Sequence, residues 1–134
     1  MLKQLIYISR PFGFDASMLA GILSASRRNN RRDGITGALI CRQDIYLQFV
    51  EGDAAVIDAL FAKIQRDDRH QQVVPLWRGT AEARLFPGWD MLDDPARSWL
   101  WTPDEVANDV VEAAPPEAVR AVFDRLAQER SLED

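Results

Sequence analysis

The chain of 134 residues has one cysteine, Cys41, and one histidine, His70. A lone thiol excludes an intramolecular disulfide, and a chain of this length can bury a sufficient apolar core without one. The same scarcity leaves no Cys/His set for a tetrahedral zinc, and any Ser-His-Asp arrangement would have to be built on His70 alone. No apolar run approaches the roughly 20 residues of a membrane span. The N-terminus opens directly into the strand-like LKQLIYIS, with no signal peptide before it. These absences predict a soluble cytoplasmic protein that does not engage a membrane. Repeats and low-complexity segments are also missing. Basic charge is scarce only late in the chain: residues 93–134 carry 4 basic and 11 acidic groups, against 12 and 10 in residues 1–92. An acidic tail argues against general nucleic-acid binding.

What is present is a sequence of alternating elements. Residues 2–9 alternate with period two, placing Leu5, Tyr7 and Ser9 on one face and Ile6 and Ile8 on the other. A helix capped by Asp15 or Ser17 runs to about Asn29, with Met18, Leu19, Ile22 and Leu23 inward and Ser26 one turn on. Gly34 and Gly37 bracket the entry to the next strand. Strands at about 35–41 and 45–50, joined by Arg42-Gln43-Asp44, form an antiparallel hairpin. Gly52-Asp53 then opens a helix whose Val56, Ile57, Leu60, Phe61 and Ile64 repeat at helical spacing before the charged QRDDRH. A strand at about 73–79 follows, with Pro75 suiting an edge or a bulge, and a short fifth strand near 86–91.

The order βαββαβ with an added strand predicts an α+β, ferredoxin-like sandwich in which the first and third strands are central neighbours. The boundary falls at 92/93. Beyond it, helices at about 103–113 and 116–130, parted by Pro115-Pro116, carry one apolar stripe each. Such helices need a surface to cover, either the open sheet face or a partner chain. Trp99 and Trp101 suit either role.

One residue is out of place. Gln48 lies among Leu47, Phe49 and Val50, and an amide left unpaired in such a core would cost roughly 1 to 3 kcal/mol. The predicted topology sets it beside Tyr7 and brings Asn30 and the 63–70 helix end to the same crevice between the two helices. Taken singly, these residues have plain structural readings: a core tyrosine, an asparagine helix cap, a solvated basic helix end at RRNNRR. Together they frame a mostly apolar pocket with a few placed polar groups, suited to a flat heteroaromatic ligand.

The ordered blocks Tyr7-x-Ser9, NNRRDGITGALI, YLQFVEG, DDRH and RLFPGWDM resemble the BLUF family of blue-light sensors over about residues 2–92. The resemblance implies noncovalent FAD, with FMN or riboflavin as alternatives, its ring lying between the two helices. It implies cofactor contacts from Tyr7, Ile22, Asn29, Asn30, Gln48, Lys63, Asp67, Arg69 and His70, and signalling from Trp89, Met91 and Ser26. Departures from the family pattern are Arg10-Pro11, Asp90, and Lys63 where an arginine is usual. In BLUF-like chemistry the excited flavin draws an electron from Tyr7, its proton follows through Gln48, and both return. The amide is left rotated or tautomerised, with a stronger bond to the flavin C4 carbonyl and a small red shift. Gln48 is expected to lie under the last strand, so that Trp89 and Met91 pass the change to residues 93–134. No substrate is turned over, and the readout is a separate downstream protein or a changed homo-oligomer. Competing readings are a dark flavin or ligand carrier, an acylphosphatase-type hydrolase built on Asn30 with Arg31 or Arg32, and a dimerisation or adaptor module.

Overall fold

The computed structural model describes residues 2–11, 24, 27–42, 45–66, 70–87, 92–95 and 101–133. Five strands occur among them: β1 Leu2–Pro11, β2 Thr36–Arg42, β3 Ile45–Gly52, β4 His70–Ala81 and β5 Leu92–Pro95. They form one sheet in the order β4-β1-β3-β2-β5, antiparallel except where β5 runs parallel to β2. The helices are α1, described at 27–33, then α2 Ala54–Arg66, α3 Pro103–Ala107, α4 Val110–Ala113 and α5 Pro116–Glu133. This is the expected α+β sandwich, with β1 and β3 paired at the centre.

The period-two alternation of β1 and β3 sends side chains to two separate cores. On one face Leu5, Tyr7, Leu39, Tyr46 and Val50 pack with Ile57 and Phe61 of α2. On the other, Ile6, Ile8, Leu47 and Phe49 pack with Val106, Val111, Val119, Phe123 and Leu126 of the C-terminal helices. Those helices therefore cover the second sheet face, and Trp101 is half-buried against the same core. Trp99 lies outside the described residues. Pro75 is on the edge strand β4, beside a bulge: Ile6 pairs with Trp77 but Tyr7 with Pro75, leaving Leu76 as the extra residue.

Several expectations need correction. The fifth strand does not include residues 86–87, and the rest of the expected 86–91 segment lies outside the described residues. Residues 82–87 are bends and a turn, and β5 begins at Leu92, across the expected boundary. The reason is where the backbone donors go: the Leu85 and Phe86 N–H groups bond to the Glu51 carboxylate at 2.8 and 2.9 Å, not to a strand partner. Gln48 is not under the last strand, because β2 lies between β3 and β5. The expected 103–113 helix is two short helices, broken where Asn108 bonds back to Asp104 and Asp109 takes a left-handed φ of 60°.

The first helix passes Asn29 and continues to residue 33. It stops at Gly34, whose φ of 71° turns the chain left-handed while Ile35 N–H bonds Asn30 C=O at 2.9 Å, a Schellman-type end. Asn30 is thus inside the helix rather than its cap. His70 is likewise not a helix end, since α2 stops at Arg66 and the His70 backbone already pairs with Pro11.

Candidate functional site

Tyr7 and Gln48 are directly opposite on β1 and β3. Both point toward the α2 side and both are buried, Tyr7 fully and Gln48 with 4% exposure. The Tyr7 hydroxyl donates a hydrogen bond to Gln48 Oε1. The amide that periodicity marked as out of place is therefore paired with the phenol across the two central strands. The pairs Pro75–Tyr7, Tyr7–Gln48, Gln48–Leu39 and Leu39–Asp93 make one row across all five strands.

The surroundings are apolar. The Phe61 ring sits 5.7 Å from that of Tyr7, centroid to centroid, with Ile57 on the same helix face. Asn30 of α1 is buried with 2% exposure, and its neighbour Asn29 is half-buried. Lys63 is exposed on the last turn of α2. The two helix ends are electrostatically linked: Arg32 holds the Asp33 carboxyl below the usual carboxylate range, mainly through a hydrogen bond, and the charge of Lys63 adds to the effect. Ile22, Ser26, Asp67, Arg69, Trp89 and Met91 lie outside the described residues, as does the side chain of His70.

The donor set fits a flavin. A phenol and a primary amide in contact supply an electron-rich ring, an exchangeable proton and two N–H donors, which match the acceptors on the ring nitrogen and carbonyl edge of an isoalloxazine. Asn30, on α1, is a second buried amide. A separate open cavity of about 450 Å³ is lined by Leu2, Asp33, Gly34, Asp53, Glu82 and Arg84 and does not include this pair.

A buried polar group on the opposite face was not anticipated. Glu51, wholly buried, accepts from Gln4 Nε2 at 3.1 Å, Thr36 Oγ1 at 2.9 Å and the Leu85 and Phe86 N–H groups. Arg84 donates to Thr36 Oγ1 and to the carbonyls of Gly34 and Glu51. The signal was available: Leu47, Phe49 and Glu51 share one strand face, so Glu51 is as anomalous there as Gln48 is on the other.

Fold and site together define a class, a ferredoxin-like binding module with a hydroxyl–amide pair buried beneath its helices. Residues 2–92 match the family model for BLUF, sensors of blue-light using FAD, and the chain belongs to that family. It is a flavin-binding blue-light sensor domain. It is 33% identical to BlrB, a BLUF protein solved in its dark state, with a TM-score of 0.79 over 96% of each chain. Klebsiella pneumoniae BlrP1, solved with FMN and cyclic diGMP, is 30% identical at a TM-score of 0.66 over 83% of this chain and 30% of its own. The photoactivated adenylate cyclase subunit alpha of Euglena gracilis is 32% identical over 95 residues, 69% of this chain. This chain matches only 9% of that cyclase subunit's length. Among the described residues, no helix is long and apolar enough to cross a membrane.

Proposed function

We infer that light sensing runs on Tyr7 and Gln48, and that the carrying observation is the hydrogen bond between them. Bound flavin supplies the blue-light absorption and, once excited, the oxidising power. Tyr7 would be the electron donor to it, and the phenolic proton would move along the hydrogen bond to Gln48 Oε1. Return of the proton to the tyrosine would leave the amide in its second arrangement, rotated or tautomerised. The apolar layer of Ile57 and Phe61 keeps water from competing for these bonds, so the two arrangements stay distinct. Asn30 and Asn29 hold the flavin's carbonyl side from α1. Lys63, Asp67, Arg69 and His70 are assigned to the ring's polar edge and the ribityl-phosphate end, and Ile22 to cofactor contact, on the family resemblance.

FAD is the flavin that the family description names, and the basic residues at 27–32 and 63–70 suit its phosphates. We assign residues 1–92 to flavin binding and 93–134, which begins within β5 and continues into the C-terminal helices, to a cap that presents the output. Ser26, Trp89 and Met91, at the positions the family resemblance implies, are assigned to signalling. We assign the chain's output to a separate protein or to self-association rather than to turnover of a substrate. The single cysteine and the charge pattern suit a cytoplasmic setting.

Tyr7→Phe and Gln48→Leu test the assignment. Each variant is expected to bind flavin and remain yellow, with no red-shifted state under blue light. A normal light-induced shift in either would remove that residue's role.

A further inference from the structure

The sensor site and the C-terminal helices lie on opposite faces of the sheet, so a signal must pass through the sheet or around its edge. One side chain of α5 meets the strands that surround the Tyr7–Gln48 pair. Arg120 Nη1 donates to Gln4 Oε1 of β1 at 2.5 Å. Its guanidinium carbon stands 5.4 Å from the Phe49 ring centroid on β3 and 4.8 Å from that of Trp77 on β4. Asp124, one turn along, fixes it through Nε at 3.1 Å. The side chain is only 22% exposed.

Two of these contacts adjoin the site, and the third reaches the neighbouring Glu51. Phe49 follows Gln48 in β3. Trp77 pairs with Ile6, the residue before Tyr7, at the bulge. Gln4 pairs with Glu51 in backbone register and through its side-chain amide, and Glu51 holds the 85–86 backbone. A planar fork that bonds an amide while lying over two rings is sensitive to small relative movements of the strands that carry them. Consecutive residues of a strand face opposite ways, so a changed backbone setting at Gln48 re-aims Phe49 on the far side.

We propose that Arg120 is the residue through which the light state of the Tyr7–Gln48 site is passed across the sheet to α5, so that light alters the docking of that helix. This rests on the flavin-sensor reading above. Packed contacts of this kind have discrete arrangements, and biasing one of them moves the whole element.

The test is amide hydrogen exchange over residues 116–133 of the flavin-loaded full chain, in the dark and under blue light, with the absorption spectrum read on the same samples. The wild type is expected to show a difference of about twofold or more between the two states. Arg120→Met is expected to keep the red shift and show equal exchange in dark and light. Arg120→Lys keeps the charge but cannot engage the amide and both rings at once, and is expected to lose more than half of the difference. A red-shifting Arg120→Met that keeps the wild-type difference would overturn the proposal. So would a folded Arg120→Lys with the full difference, or a red-shifting wild type with none. A wild type without a red shift would instead take down the sensor reading on which the proposal rests.

Discussion

Gln48 and Glu51 are three residues apart on β3 and face opposite sides of the sheet, one bonded to a tyrosine and the other to four donors. Gln48 was legible because an amide among Leu47, Phe49 and Val50 has no other reading than a partnered one. Glu51 was not, because Gly52-Asp53 beside it signals a chain reversal, and an acid at a strand end is ordinarily in water. Its burial follows from a contact far along the chain, the 84–87 turn, which local pattern does not reveal. Removing the carboxylate leaves buried donors at about 1 to 3 kcal/mol each. Glu51→Leu is therefore expected to lower the unfolding free energy by roughly 3 kcal/mol or more, measured by urea denaturation. A loss below about 1 kcal/mol would mean that those donors find other partners.

At the level of elements, the strands and α2 were readable from their periods, and the hairpin from its polar connection. Errors fell where a side chain or a glycine outranked the pattern. Phe86 and Pro87 read as part of a strand because they are apolar or strand-edge types, yet the Glu51 carboxylate takes the backbone donors there. Asn29 looked like a cap, yet the left-handed residue that ends α1 is Gly34. The hairpin's closeness also depends on one glycine: a Cβ at Gly37 would stand 2.0 Å from the Phe49 carbonyl oxygen. Gly34 has open space around it but a φ of 71°. Gly34→Ala is thus a conformational test without a clash, expected to cost about 1 to 2 kcal/mol. An unchanged thermal midpoint would show that α1 can end otherwise.

For the whole molecule, the sheet is shared by two cores, so the Tyr7–Gln48 side and the C-terminal helices are joined through the same β1 and β3 backbones. Phe123 of α5 is fully buried, with ring centroids 5.5 Å from Phe49 and 6.4 Å from Phe86. Phe123→Ala is expected to cost about 3 to 5 kcal/mol, with sheet and helices still unfolding in one transition. Two separate transitions would mean that the helical segment folds apart from the sheet. The sequence predicted that these helices need a surface, and the structure gives them the sheet's second face. The relay through Arg120 was hidden because an arginine in an amphipathic helix ordinarily reads as solvent-facing. On the function proposed above, the Tyr7–Gln48 pair stores a light-driven rearrangement around bound flavin. It is tested most directly by the visible absorption spectrum of the purified protein in the dark, under blue light and through recovery. The expected result is a flavin band that moves slightly to the red and returns in the dark. A flavin band that stays fixed, or a colourless protein that takes up no added flavin, would contradict it.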